Sequence, residues 1–288
     1  WEVTTKREDK APSPFTGTSQ CIKEHNDLYT VLSVRKSVHH SSVEQDIIMY
    51  HHAPLMEFRT RVDWDERQKM LRVEFPADIH TLTARYDIAF GNVEHPNHST
   101  TSYDEARFEV CGHKWGDISD GAALMNDCKY GYTIQDSDMV LSLLRSADFP
   151  SDSCDKGVHT FSYWFYPHDG GIKEGRVAQA GYEANVPLLV QAGKAARDEH
   201  SYIHTNCDNI VIDTVKKSED GEEIVLRIFE TYNTVNDVVL TMGFSVDSCE
   251  ETDLLERHLE DLPVTDGQIR FTIHPYEIKT YKVTCKHK

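Results

Sequence analysis

Between Leu124 and Tyr132 the chain runs LMNDCKYGY, bringing an amide, a carboxylate, a thiol, an amine and two phenols into one short stretch. Such groups can contact a sugar, ligate a metal or attack an electrophile, and the surrounding sequence has to discriminate. A thiol nucleophile needs a neighbouring base, and His113 is the candidate beside Cys128. The competing reading, which the pattern favours, is a small strand-borne thiol half-buried in a sheet.

Sixteen histidines invite a metal reading, densest at His39-His40, His51-His52 and His95 to His98. Adjacent residues on a strand point to opposite faces, so neither doublet chelates one ion easily. A catalytic zinc needs three protein ligands with supporting partners, yet the chain has no H-E-x-x-H and no finger-like Cys-His spacing. The histidines therefore read as solvated or edge-strand residues. Paired carboxylates can hydrolyse glycosides, but among 48 acidic side chains no particular pair is signalled. G-x-S-x-G, P-loop and dinucleotide fingerprints are missing as well.

Aromatic residues are the remaining signal. Trp115, Tyr130, Tyr132, Tyr163, Trp164 and Tyr166 fall among Asn126, Asp127, Lys129, Arg145 and His168. Flat rings with fixed amide, acid and amine groups suit a sugar, whose faces stack and whose hydroxyls need directional partners. Inward-facing aromatics of a β-sandwich core are the structural alternative.

These residues need a scaffold, and the sequence describes one. Apolar residues recur mostly every second position, as in Leu71, Val73 and Phe75 or Tyr86, Ile88 and Phe90, with runs ending near Gly, Pro, Asn or Asp. Closely spaced strands with almost no helical period predict stacked antiparallel sheets, an all-β fold. Residues 169–200 turn irregular or weakly helical, and from Asn206 a compact β-pattern resumes, with a hairpin at Asp266-Gly267. The stretch ETDLLERHLEDL fits either a short helix or extended chain. The expected division is 1–205 and 206–288, the second part a small Ig-like sandwich.

With 288 residues the chain can form one large β-domain or two smaller ones. A formal charge of -18 disfavours nucleic acid and anionic membrane partners. No apolar run approaches the length of a membrane span. Seven scattered cysteines, odd in number and without C-x-x-C, favour a reducing compartment. One sequon, Asn97-His98-Ser99, would be a glycan site in a secreted chain. The amino-terminal WEVTTKREDK has no signal-peptide layout and looks cut from a longer protein.

The words themselves are similar to a known family. RFEVCGHKWGDISDGAALMNDCKYGY, then LSLLRSADFPSDSCDKGVHTFSYWFYPH, closely resemble the carboxy-terminal β-region of glycoside hydrolase family 38 α-mannosidases, in the branch with cytosolic, vacuolar and bacterial members. VEQDIIMYHHAPLMEFRTRVDWDERQKMLRVEFP before them, and NIVIDTVKKSEDGEEIVLRIFETYN and SCEETDLLERHLEDL after, extend the likeness over nearly the whole chain. The resemblance implies a large super-β-sandwich of the galactose mutarotase kind followed by a small β-sandwich. It also implies that zinc, the aspartate nucleophile and the acid/base carboxylate belong to an amino-terminal catalytic part outside this chain. The whole enzyme is then a retaining, metal-dependent exo-α-mannosidase acting on oligosaccharides, and this part is non-catalytic, helping to wall the sugar pocket.

In the Golgi and lysosomal branch, the segment matching Asn126 to Gly131 holds an Asp-Arg pair before a Gly, and a later Asp-x-Arg-Gly-like stretch supplies a substrate-facing arginine. Here Asn126-Asp127-Cys128-Lys129 and Cys154-Asp155-Lys156-Gly157 stand in those places, so Lys156 takes the arginine's position. An ammonium is a point donor and does not reproduce a guanidinium fork. Arg145 is the other basic candidate, with a structural salt bridge as its alternative. The candidates for substrate contact or domain interface are thus Asn126, Asp127, Lys129, Tyr130, Arg145, Asp155, Lys156 and Trp115, with no catalytic residue and no metal ligand expected in the chain. Two other roles stay open: an autonomous carbohydrate-binding module, or a structural part that stabilises the catalytic domain and mediates homo-oligomerisation. The expected compartment is the cytoplasm, with a vacuolar or lysosomal lumen as the alternative.

Overall fold

The computed structural model describes residues 13, 15–119, 121–149, 151, 153–194 and 199–285. The chain divides between Pro187 and Leu188 into two compact units. The first contains β1 (Thr16–His25), β2 (Tyr29–Val38), β3 (Ser41–Tyr50), β4 (Met56–Trp64), β5 (Met70–Pro76), β6 (Thr83–Ile88), β7 (Gly91–Pro96), a short helix α1 (Ser102–Ala106), β8 (Val110–Cys111), β9 (Trp115–Asp117), β10 (Ala122–Asn126), β11 (Gly131–Gln135), β12 (Asp138–Arg145), β13 (Gly157–Pro167) and a helix α2 (Val177–Asn185).

A nine-stranded sheet in the order β1-β2-β3-β4-β13-β10-β9-β6-β7 packs on a four-stranded sheet, β5-β12-β11-β8. Their shared core includes Phe58, Val62 and Trp64 from β4, Leu124 from β10, Tyr132 from β11, and Met139 and Leu141 from β12. Rings interlock across it, with Phe58 stacked on Tyr163 at 5.0 Å and Phe75 on Phe165 at 5.1 Å. On β4 the sequence shows why the sheet forms: Phe58, Thr60, Val62 and Trp64 point inward while Arg59, Arg61 and Asp63 are exposed.

β10 departs from this alternation, because all of Ala122–Asn126 is buried. Ala122 and Leu124 face the shared core, whereas Ala123 and Met125 join Trp115, Trp164 and Val177 in a second cluster beneath α2. A strand covered on both faces reads as a continuous apolar run. The weakly helical expectation for residues 169–200 is met by α2, which buries Val177, Ala178 and Gly181.

The second unit holds β14 (Ile203–Thr205), β15 (Ile210–Lys217), β16 (Ile224–Glu230), β17 (Asn236–Met242), β18 (Val246–Thr252), β19 (His258–Leu262), β20 (Val264–Thr265), β21 (Gln268–Ile273) and β22 (Ile278–Cys285). Two sheets, β14-β17-β21-β20 and β15-β16-β22-β18-β19, enclose Leu226, Ile228, Leu240, Ile269, Tyr281 and Val283. β14 lies before residue 206 but pairs with β17 and packs Ile203 on this core, so the boundary falls earlier than the expected one. Asp266 and Gly267 have φ of 52° and 72°, the left-handed pair that a two-residue hairpin turn requires between Thr265 and Gln268. ETDLLERHLEDL is extended: Glu250 pairs with Asp261, and the Asp253 carboxylate accepts the Leu255 and Arg257 amides, both at 2.9 Å, to close the turn. Among the described residues no helix is long and apolar enough to cross a membrane.

Candidate functional site

LMNDCKYGY is the end of β10 and the crossing to β11. Leu124 and Met125 are buried on opposite faces of the sheet. Asn126 is 1% exposed, and its Nδ2 donates to the His113 carbonyl at 2.8 Å and to the Tyr132 hydroxyl. Its Oδ1 accepts the Lys129 amide, and its own carbonyl accepts Asn185 Nδ2 at 3.1 Å. The amide is therefore committed to holding the crossing in shape.

The crossing delivers the next residues to the surface. Asp127 is exposed and extends the pairing of β13 by a rung: its amide donates to the Ser162 carbonyl at 3.2 Å, and its Oδ2 accepts the Ser162 amide at 2.8 Å. The Lys129 ammonium lies 4.7 Å over the Phe161 ring. Tyr130 is half-exposed, edge-on to His113 at 5.6 Å. Cys128 corrects the expectation of a strand-borne, half-buried thiol, because it sits exposed on a bend after β10. Partial burial of its sulfur and the Asp127 carboxylate push this thiol up to about 11, which withholds the thiolate a nucleophile needs.

Arg145, Asp155 and Lys156 form a separate cluster at the other end of β13. Asp155, at φ 59°, accepts the Arg145 amide at 2.8 Å, and Lys156 pairs with Asp65 at 2.6 Å. Gly157 lies five residues of strand from Ser162, roughly 17 Å away at about 3.4 Å per residue. The two groups are not one site. Trp115, expected to offer a ring to a sugar, is 1% exposed: a Cβ on Gly181 of α2 would fall 2.6 Å from its Cδ1. The asparagine of the sequon is likewise unavailable, since Asn97 is buried and its Nδ2 donates to Thr81 Oγ1 at 3.0 Å.

The sequence reading missed an open trough of about 630 Å³ on the outward face of β1–β4 and β13. Register sets Ser33, Asp46, Arg59 and Ser162 on one rung and Arg35, Glu44, Arg61 and Thr160 on the next, with Asp127 at the end of the first. Lys23 pairs with Asp46 at 2.5 Å and Arg35 with Glu44 at 3.5 Å. The buried Glu57 receives Arg59 Nε and the Tyr50 hydroxyl, both at 2.6 Å. Burial and this carboxylate push the Tyr50 phenol up to about 12. The available signal was the period-two charge of Arg59, Arg61 and Asp63 opposite an apolar face.

Among the described residues, Glu250, His258 and Asp261 of the second unit bring potential metal-ligand atoms within 4.8 Å of one another. Glu250 is half-buried and the other two are exposed. His258 Nδ1 lies 2.8 Å from Glu250, and the Lys282 ammonium is 3.7 Å from the same carboxylate.

Comparison with known proteins gives consistent matches. Residues 1–153 match the family described as "Glycosyl hydrolases family 38 C-terminal domain", and residues 209–281 match "Glycosyl hydrolases family 38 C-terminal beta sandwich domain". Alpha-mannosidase G of Dictyostelium discoideum is 35% identical over 98% of this chain and 27% of its own length. Alpha-mannosidase 2C1 of Homo sapiens is 36% identical over 83% of this chain and 24% of its own. The crystal structure of an alpha-mannosidase from Enterococcus faecalis V583 superposes with a TM-score of 0.77 at 17% identity, covering 94% of this chain and 35% of that one, a likeness of fold. The chain spans about a quarter of the length of the curated relatives it matches. With one family model covering more than half of its residues, the chain belongs to glycoside hydrolase family 38, as a carboxy-terminal β-region.

Proposed function

We propose that the chain is the non-catalytic carboxy-terminal part of a retaining, divalent-metal-dependent α-mannosidase that removes terminal α-linked mannose from oligosaccharides, acting with an amino-terminal catalytic part of the same enzyme. The relatives' names support the activity. The observation that carries the non-catalytic role is the state of the buried carboxylates. Glu57 is held by Arg59 and Tyr50, Glu66 by Ser41 Oγ and the His40 amide, and Asp87 by Lys114. Asp117 is held by His168 and the Ser119 amide, and Glu230 by Asn209 and the Tyr232 and Asn233 amides. A retaining glycosidase needs one carboxylate free to attack and another to carry a proton, and each of these is committed to structure.

The Glu250, His258 and Asp261 group does not fit a catalytic metal centre. Its histidine nitrogen is engaged by Glu250, a lysine already balances that carboxylate, and His258 and Asp261 lie open to solvent on an edge hairpin. The enzyme's zinc, or another divalent ion, belongs in this proposal to the amino-terminal part. In this proposal Asp127, Lys129 and Tyr130, presented by the anchored crossing, and Asp155 and Lys156, beside Arg145, are the residues that face the sugar pocket or the catalytic part. Free cysteines throughout the described residues support a cytoplasmic setting.

Assay of this chain and of the longer enzyme on an aryl α-mannoside, with zinc or cobalt added, tests the proposal. Turnover is expected from the longer enzyme alone. Turnover by the 288-residue chain would overturn the division of labour, and an inactive longer enzyme would overturn the activity.

A further inference from the structure

We propose that the outward face of β3, β4 and β13 carries a mannoside-binding subsite centred on the Arg61 guanidinium, which adjoins at Asp127 the aromatic-rich region that first suggested sugar contact. The inference rests on the α-mannosidase reading for its ligand class and on geometry for its location. Nearly every charge on this face is spent: Lys23 on Asp46, Arg59 on Glu57, Arg35 on Glu44. The Arg61 guanidinium, by contrast, makes no hydrogen bond or ion pair among the described residues, although it is exposed and lines the trough. Glu44 and Thr160 sit beside it on the same rung, one strand spacing of about 4.8 Å to either side. Ser162 and Asp127 follow on the neighbouring rung.

This is a donor fork set between acceptors. A guanidinium presents five N–H donors in fixed, planar geometry, which suits the paired oxygens of a vicinal diol. Carboxylates accept from sugar hydroxyls, and the Thr160 and Ser162 hydroxyls donate or accept. The strand register fixes where each of these side chains leaves the backbone, while Glu44 is paired with Arg35 and Asp127 with the Ser162 amide. The trough's volume of about 630 Å³ falls in the range of roughly 300–1,000 Å³ usual for ligand sites. Among the described residues no tryptophan or tyrosine lines the trough, so recognition here would depend on hydroxyl geometry instead of stacking.

The test has two arms. In saturation-transfer NMR the 288-residue chain is expected to transfer magnetisation to α-mannotriose but not to a galactotriose, with the transfer abolished by Arg61→Ala and weakened by Arg61→Lys. In the longer enzyme, Arg61→Ala should raise KM for mannotriose about tenfold, the size expected for losing a charged hydrogen-bond donor, with a smaller loss in kcat/KM on an aryl mannoside, which offers a single sugar. Equal transfer to wild type and Arg61→Ala would overturn the subsite. So would equal loss on both substrates with a lowered melting temperature, which would assign the trough to packing against another part of the enzyme. A longer enzyme inactive on both substrates would remove the α-mannosidase reading, while the NMR arm would still decide Arg61.

Discussion

The amide nitrogen of Asn126 uses both its hydrogens, one on the Tyr132 hydroxyl and one on the His113 carbonyl, at a position with 1% exposure. This joins the end of β10 in the nine-stranded sheet to β11 in the four-stranded one. The surface residues that follow inherit their placement from it. Asn126→Ala leaves a buried phenol and carbonyl without that donor and should cost about 1–3 kcal/mol. Asp127→Ala, at an exposed position, should cost less than about 1 kcal/mol. All four tryptophans lie before residue 188, so urea unfolding followed by tryptophan fluorescence reads the first unit alone. Equal losses in the two variants would contradict the distinction.

Gly181 lets α2 close on Trp115. In an ordinary helix Gly→Ala is stabilising by roughly 0.5–1 kcal/mol. Here the added methyl would lie 2.6 Å from the indole Cδ1, and overpacking of this kind costs about 1–3 kcal/mol. Gly181→Ala should therefore destabilise the first unit and red-shift its tryptophan emission. A rise in stability would mean that the contact is slack.

The His168 ring, 2% exposed, places Nε2 2.7 Å from the fully buried Asp117. Burial by itself would lower the imidazole pKa, but the hydrogen bond and charge of Asp117 outweigh it and raise the value above 6.5. A raised folded-state value means that the pair's contribution is fully present below pH 6.5 and is lost as pH climbs through the folded value. The stability advantage of wild type over His168→Gln should thus shrink as pH rises above 6.5. A difference that stays flat from pH 6 upward in urea titrations would refute the charged pair.

Cys128 should alkylate slowly despite its exposure. With its thiol pushed up to about 11, the thiolate fraction at pH 8 is roughly a hundredfold below that of a free cysteine. Iodoacetamide labelling mapped by mass spectrometry should show Cys128 lagging and Asp127→Asn partly restoring it, since burial is the main cause of the shift and Asp127 adds to it. Rapid labelling of Cys128 in wild type would reopen the nucleophile reading.

Much of this architecture was legible in the chain by itself, for reasons that are local. Period two assigns Phe58, Val62 and Trp64 to one face of a strand and Arg59 and Arg61 to the other, without reference to anything distant. Asp266-Gly267 specifies its turn because few residue pairs tolerate two consecutive left-handed conformations. Long words in order carried the family resemblance, which the family comparison supports.

Tertiary structure decided the rest, because strand pairing in a sandwich is non-local. β13 lies beside β4 at nearly a hundred residues' separation, and this adjacency sets Arg61 between Glu44 and Thr160. Alternation fixes which way a side chain points, not which strand lies next to it. Trp115 and Tyr130 are similar as letters, yet α2 covers the first and leaves the second exposed. ETDLLERHLEDL satisfies helical and extended patterns alike until Glu250 meets Asp261 across the hairpin. The sequence by itself determined the strands, a tight turn and the family. Only the packed sheets decided which polar residues are spent holding the fold and which, like Arg61, have side chains unpaired among the described residues, since that depends on partners the chain brings together only when folded.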